Sequence, residues 1–515
     1  MPAWKQTCVS RDRTRPEDWR LVGVSAGAWA GSSAGTLGVP GFWWLGVVAV
    51  TVVMISRIPR ALGAAAALGL GMIAGYVAGS LTFQQYYHDA AAQICAQQDK
   101  VELLVRVAEL PGERLTPWGA SQYSAPAQVR AIRIGSQWKT SGVQARLSGG
   151  AENLSWARTG DLLVVYGKLR TEFWGRPPTI GEIRVESARR VATGSSWDRF
   201  TATIRERMFS SASRLPPVAG PIILGMSVGD RQLLSSAQRE DMATASLTHL
   251  TAISGTHIGL ALVALAFVVP GGRLWRPAAM LLFLTFLVGV VGPTPSVVRA
   301  TGMSLIAMAT FWRRRPGQPQ VALFLVVLVL TLVDPWISTQ PGFVMSVLAT
   351  AGILSTGRDW AHLSSSWAQA KVPEKWEKTQ GIAQAIAKIA AASAAASLWV
   401  LPALVSITGA VPLWSVLANV LAAPAVAPVT ILGIGAAAVC SWFPFAANVL
   451  LWMAVPFATW ISWVARSVAA FPAALLPWPS GAWGTFCAAA LVGLVAVADG
   501  IRKKRGDTRG TDASA

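Results

Sequence analysis

The chain is short of charge. Only 13% of its 515 residues are Asp, Glu, Lys or Arg, about half the share usual in soluble domains. The shortage falls mainly on acids, with 25 Asp and Glu against 44 Lys and Arg. Cysteine is scarce too. Cys8, Cys95, Cys440 and Cys487 are scattered and lack metal-ligand spacing, which argues against a disulfide-stapled domain or a zinc module. No Gly-rich loop ending in Lys-Ser or Lys-Thr occurs, so ATP hydrolysis by this chain is not expected. The first twenty residues are polar and have no short apolar core of the kind that marks a secretory signal.

Long apolar runs are what the chain has instead. Hydrophobic residues make up 53%, and the mean hydropathy is +0.46. Such runs cross lipid as helices, because no water is present there to satisfy the backbone. In a soluble protein the net charge of +19 would suggest nucleic acid as a partner. Here much of it lies in tracts beside apolar runs: Arg11, Arg13, Arg15 and Arg20; Arg57 and Arg60; Arg313 to Arg315; Arg502 to Arg505. Basic flanks of this kind mark cytoplasmic loops, so topology is the simpler reading.

Three apolar segments come first, at 21–38, 42–56 and 61–83. Gly27, Gly31 and Gly35 share one helix face, as do Gly71, Gly75 and Gly79. Small residues at this spacing let helices approach closely in lipid, so both faces are expected to pack against helices, including each other. The competing explanation is an alanine-rich composition without special packing. Three crossings place residue 84 outside the cell.

From 84 to 200 the long apolar runs vanish. Short β-like stretches appear at Val101–Val107, Ala127–Ile134, Val143–Leu147, Leu162–Leu169 and Ile183–Val185. Five strands in this length suit a small barrel, of which the OB-fold is one candidate. Such a barrel binds single strands through a basic groove and stacking aromatics. Arg130, Arg133, Lys139, Arg146, Lys168 and Arg170, with Trp138, Tyr166 and Trp174, supply both residue types. Acidic residues are interspersed, and a purely structural lid fits as well.

A polar, amphipathic stretch from Trp197 to Thr248 precedes further apolar runs at 250–270, 277–292, 297–312, 320–333, 342–356 and 381–408. Prolines interrupt 411–500, where one crossing over 411–440 leaves Arg502–Arg505 inside. The most informative stretch is His249-Leu-Thr-Ala-Ile-Ser-Gly-Thr-His-Ile-Gly-Leu260. Polar groups at the mouth of an apolar run usually face a bundle interior or a water path. Ser254 and His257 share a face at i, i+3 if the stretch is one helix; Gly255 and Gly259 permit a break. A nucleophile and base are conceivable, but no local carboxylate would orient the histidine. Gly229-Asp230-Arg231, Arg299 and Ser346 add polar points to the same bundle. Arg299 either snorkels or faces inward as a fixed positive charge.

In these blocks the chain resembles the ComEC-type competence proteins. The resemblance rests on Gly229-Asp230-Arg231, the 249–260 block, Val297-Val298-Arg299-Ala300, Asp334-Pro335 and Gly342-Phe343-x-x-Ser346. Thr256 and Val344 depart from the family's usual leucine and glutamine. The resemblance implies a polytopic α-helical membrane protein with an inserted small all-β, OB-like extracytoplasmic domain. Its expected parts are a cytoplasmic basic terminus (1–20), three helices (21–83), the β domain (84–200), a competence-type bundle (201–500) and a basic tail (501–515). It implies passage of single-stranded DNA across a bacterial inner membrane. His249, Ser254, Gly255, His257, Arg299, Asp230 and Ser346 would line the path. Expected partners are single-stranded DNA, membrane lipid, a DNA receptor, a helicase-like motor and further copies of the chain. No cofactor or metal is expected. Many relatives carry a metallo-β-lactamase-like domain; no histidine follows His362 here, so strand degradation would fall to another protein. The rivals are a transporter of another polymer or anion, and an intramembrane hydrolase on Ser254 and His257.

Overall fold

The computed structural model describes residues 20–38, 62–95, 100–115, 121–170, 178–269, 275–312, 318–371, 377–479 and 481–512. The expected apolar segment 42–56, the expected aromatic Trp174 and the arginine tracts at 11–15, 57–60 and 313–315 lie outside these residues. The chain is mostly helical, with a seven-stranded sheet near its beginning.

Helices α1 (Arg20–Thr36) and α2 (Leu62–His88) pack against each other through their glycines. A Cβ on Gly27 would come within 3.0 Å of Leu68 O, on Gly31 of Met72 O, and on Gly75 of Ala28 O. The partner numbers rise together, so the helices run parallel. Backbone contact this close is possible only without side chains. The outer flank of α1 is fastened to α11 (Pro319–Val333). Ser25 Oγ donates to Phe324 O at 2.7 Å, and Ser32 Oγ donates to Thr331 O at 2.8 Å. Trp29 Nε1 donates to Ser338 O at 2.8 Å and meets Phe343 edge-on at 5.8 Å. The amino-terminal pair is thereby joined to the bundle some three hundred residues later.

After a short α3 (Ala90–Cys95) the chain enters the sheet. The five expected strands all form: β1 (Lys100–Val107), β3 (Ser121–Ile134), β5 (Gln144–Gly149), β6 (Leu162–Arg170) and β7 (Thr179–Ala192). They pair in the order β1-β6-β7-β5-β3, and β3 pairs back onto β1, closing a ring. Only β5 and β7 are parallel. Helix α4 (Ala151–Leu154) lies between β5 and β6. Strands β2 (Gly112–Leu115) and β4 (Gln137–Thr140) extend the edges of β3, and their brevity hid them in the sequence. Alternation fills the ring: Val101, Leu103, Val105 and Val107 point inward from β1, and Leu163 and Val165 from β6. At Gly167 a Cβ would strike Arg184 O across the β6–β7 bulge, so the glycine admits the neighbouring strand.

Strand β7 leads into α5 (Ser196–Ala212), whose start is a capping box made by Ser195 and Asp198. Two ion pairs tie α5 to the barrel: Arg106 to Asp198 at 2.7 Å and Arg158 to Glu206 at 3.2 Å. Helix α6 (Gly220–Val228) is buried at every residue, and α7 (Ser236–Thr244) follows. The sequence pattern over 197–248 is polar and amphipathic and gives no sign of an enclosed helix. The nine-residue α6 at its centre is apolar except for Ser227, whose hydroxyl is bonded to Ile223 O, and it is the middle of the largest core cluster. A short helix that is apolar all round must be enclosed by others.

The remaining helices are α8 (Gly255–Val268), α9 (Trp275–Val291), α10 (Pro295–Trp312), α11, α12 (Pro341–Gly352), α13 (Arg358–Lys371), α14 (Glu377–Thr408), α15 (Ser415–Val439), α16 (Pro444–Ala469) and α17 (Gly481–Asp512). Among the described residues, five helices are long and apolar enough to cross a membrane: α2, α14, α15, α16 and α17, over Ala67–His88, Thr379–Thr408, Ser415–Val439, Pro444–Ala469 and Gly481–Asp499. This is a multi-pass membrane protein. Helices α8, α9 and α11 are apolar but shorter. At 14 residues α8 is about 21 Å long, less than a typical hydrocarbon core. The expected run 250–270 is broken at Ser254, where a 3-10 turn (Thr248–Thr251) gives way to α8. Pro424 and Pro428 lie inside the single helix α15, in keeping with one crossing there. Strands β8 (Ala410–Pro412) and β9 (Leu475–Pro477) pair, closing the α14–α15 and α16–α17 connections at one end.

Candidate functional site

Helix α8 begins at Gly255 with Ser254 as its N-cap and His257 at the third position, forming a capping box. The Ser254 backbone N–H donates to His257 Nδ1 at 3.0 Å, and Ser254 Oγ lies 3.0 Å from the same nitrogen. A nitrogen that accepts a backbone N–H carries no proton of its own, which assigns the neutral ring's proton to Nε2. His257 is only 1% exposed, and its Nε2 has no hydrogen-bond partner. The expected Ser254–His257 contact is therefore present, made by a helix cap. Among the described residues nothing orients the ring from its far side, as a catalytic base requires.

Arg299 is the fifth residue of α10 and is 4% exposed. Its Nε donates to Ser346 Oγ on α12 at 3.0 Å, and Nη1 lies 3.1 Å from Met303 Sδ. No carboxylate among the described residues pairs with it. The chain comes so close at Gly255 that a Cβ there would sit 3.6 Å from Arg299 Nη2. Ser296 Oγ donates to Ile253 O at 3.2 Å, drawing the start of α10 onto the segment before α8. Two polar pairs, Ser254–His257 and Arg299–Ser346, are thus brought from three helices into one enclosed region and come closest at Gly255. Arg299 points inward and does not snorkel.

The Gly229-Asp230-Arg231 block has a local physical meaning. Gly229 ends α6 with φ of 75°, a left-handed conformation that favours glycine. Asp230 accepts the Gln232 N–H at 2.9 Å, forming an Asx turn. Arg231 Nε donates to Thr251 O at 3.2 Å, so the block braces the turn before α8. Asp230 acts beside the cluster, not in it. His249 is exposed, with Nδ1 3.1 Å from Ser246 O, and also stays out of the cluster. It belongs to the 3-10 turn Thr248–Thr251 and not to α8, so 249–260 is not one continuous helix.

The candidate nucleic-acid residues on the barrel divide into groups. Tyr166 faces Glu102 across β6–β1, and Arg133 bonds Glu102 at 3.0 Å and pairs with Trp138 across β3–β4. Trp138 is 44% and Tyr166 39% exposed. Lys139 is exposed on β4, and Lys168 lies between Lys100 and Arg184 in register. Arg146 and Arg170 flank Glu182 on the other side of the ring. Arg130 lines a cavity of about 480 Å³ with Arg106 and Asp198. One outward face therefore joins Tyr166, Arg133, Trp138 and Lys168, with acids interleaved; Lys139, next to Trp138 on β4 and in register with the inward-facing Ile132, points the other way, and Arg130, Arg146 and Arg170 lie apart from that face.

Barrel, apolar bundle and enclosed cationic cluster together define a multi-pass membrane protein with a β domain inserted between its helices. The competence protein family matches residues 226–502, more than half of the chain. The chain belongs to that family. It is 29% identical over 174 residues to ComE operon protein 3 of Bacillus subtilis (strain 168), a match covering 32% of this chain and 22% of that protein. No solved structure matches the chain. Among the described residues, no group of three or more His, Cys, Asp or Glu could hold a metal ion.

Proposed function

We propose that the chain is an inner-membrane channel that passes single-stranded DNA into the cytoplasm during natural transformation. The observation that carries this reading is the gathering of Ser254, His257, Arg299 and Ser346 inside an apolar bundle. A buried guanidinium without a carboxylate partner is costly, and within a membrane such groups usually mark a substrate path. A phosphate chain is its natural counter-charge. The cluster is closed in this structure, so passage requires the α8, α10 and α12 ends to separate. Contacts to the strand must be weak and several, or the strand would bind without moving.

The β domain serves as the outer entrance in this reading. Renumbered along the chain, its five ring strands pair as 1-2-3-5-4-1, with the only parallel pair between 3 and 5 and a helix between 3 and 4. This arrangement supports an OB-type barrel. Basic flanks of the helices favour an extracytoplasmic position for it. By family analogy a DNA receptor delivers the strand, and a helicase-like motor and a nuclease act beside the channel; the channel works alone or as several copies. The test is transformation of a deletion strain in a competent host. Loss of transformation, restored by the wild-type chain, is expected; normal transformation without the chain ends the proposal.

The hydrolase reading draws on the 3.0 Å Ser254–His257 contact. Covalent labelling of Ser254 by a serine-directed phosphonate would favour it, whereas the capping-box role predicts no adduct.

A further inference from the structure

A second cavity, of about 410 Å³, opens between α5 and the α15–α16 turn. Arg199, Thr203 and Arg207 lie along one stripe of α5 at four-residue spacing, and Ser196 and Phe200 join them. Ser441 and Trp442 close the other side. The depth of this cavity follows from the chain itself. Helices α15 and α16 are both long and apolar enough to cross a membrane, and only residues 440–443 connect them. A turn that short between two crossings sits at a membrane face, and so does a cavity it lines.

The side chains around the opening agree with that level. Phe200 and Trp442 pack at 5.9 Å, and Trp197 lies beside Phe200 at the same centroid separation. Trp442, Phe443 and Phe445 are all strongly exposed. Aromatic side chains gather at the headgroup layer, where one end is apolar and the other wet. Charge on α5 is sorted by face. The acids Asp198 and Glu206 pair with Arg106 and Arg158 of the barrel, and no acid lines the cavity. Arg207 Nη1 donates to Cys440 O at 3.0 Å and Ser441 O at 2.8 Å, capping the end of α15. Among the described residues Arg199 bonds only Ser196 Oγ, at 3.3 Å, leaving its other donors for a ligand. Ser441 Oγ is buried without a partner.

We propose that this cavity binds the phosphate of an anionic phospholipid headgroup. Arg199 supplies the main charge, Ser196 and Ser441 add hydroxyl donors, and Phe200 and Trp442 flank the glycerol region; the Thr203 hydroxyl is spent on Arg199 O at 2.8 Å and only lines the wall. Basic pockets beside membrane helices recognise such headgroups. The site is separate from the polar cluster at Arg299 and does not depend on the substrate carried there.

The test uses the full chain in detergent with equal amounts of phosphatidylglycerol and phosphatidylcholine, with retained lipid counted by native mass spectrometry. Wild type should retain phosphatidylglycerol preferentially. Arg199→Glu should reduce its retention roughly tenfold, while Arg189→Glu, an equal charge change on β7, should leave it intact. The lipid-free melting midpoint of Arg199→Glu should match wild type, since only the Ser196 bond is lost. Equal retention by Arg199→Glu and wild type overturns the proposal. So does Arg199-dependent binding of glycerol phosphate or a single-stranded oligonucleotide without retained lipid, because the ligand would then come from solution.

Discussion

Replacing Arg299 by methionine should make the protein more stable and less functional. The guanidinium is 4% exposed, and its side-chain partners among the described residues are a serine hydroxyl and a thioether. Neither neutralises its charge. Removing water from an unpaired cation costs several kcal/mol, and exchange of buried ionic groups for apolar ones of similar volume often stabilises by about 1–4 kcal/mol. Methionine retains most of the packing volume beside Met303. Loss of the Ser346 hydrogen bond subtracts about 0.5–1.5 kcal/mol, leaving a net gain of roughly 1–2 kcal/mol. The assay is unfolding of the full chain in lipid nanodiscs, by denaturant or heat, with both variants at one protein-to-lipid ratio. A fall in stability of about 1 kcal/mol or more would refute the reasoning, because Arg299 would then be a structural brace with no charge held for a substrate.

Other expectations follow from separate parts of the molecule. Gly71→Ala with Gly75→Ala forces α1 and α2 apart at backbone contacts and should destabilise by about 1–3 kcal/mol per site, read as a lower melting midpoint; unchanged melting would mean the pair is loosely packed. Burial raises the Asp198 carboxyl, but hydrogen bonds from Ser195 and the Arg106 guanidinium more than offset this and hold it below the ordinary carboxylate value. Its contribution to stability is thus full above an unfolded value of about 3.9 and is lost as pH falls through the lower folded one. The stability gap between wild type and Asp198→Asn should therefore be constant near neutrality and close below about pH 4; a gap that widens in acid contradicts this sign. Full-length protein should bind single-stranded DNA in a salt-sensitive way, weakened about fivefold or more by Trp138→Ala with Tyr166→Ala; tight, salt-insensitive binding would point to another contact mode.

The sequence carried the architecture wherever one periodicity ruled a whole element. Five strands were legible because Val101–Val107 and Leu162–Leu169 alternate or run apolar between turn residues. The glycine faces were legible because Gly27, Gly31 and Gly35 recur at helical spacing; parallel packing against Gly71 and Gly75 needed coordinates. Helix α6 escaped notice because nine buried residues are too few for a hydropathy run and carry no polar face. The cluster was partly legible. Ser254, His257, Arg299 and Ser346 stood out as costly polar residues in apolar surroundings, and they do come together, as two pairs in one enclosed region. His249 and Asp230 stood out on the same grounds, yet local turns hold them aside: Ser246 binds the first, and Gln232 the second. Sequence spacing records where polar groups occur along the chain. It does not record that a 3-10 turn, and not the helix itself, carries one of them.

The most direct measurement is delivery of labelled single-stranded DNA into the cytoplasm of cells carrying either the wild-type chain or Arg299→Met at equal membrane levels. Label protected inside the wild-type cells, and its absence in the variant despite a stably inserted protein, is the outcome the account predicts. Equal delivery by both would contradict it, since the strand would then pass without the enclosed positive charge.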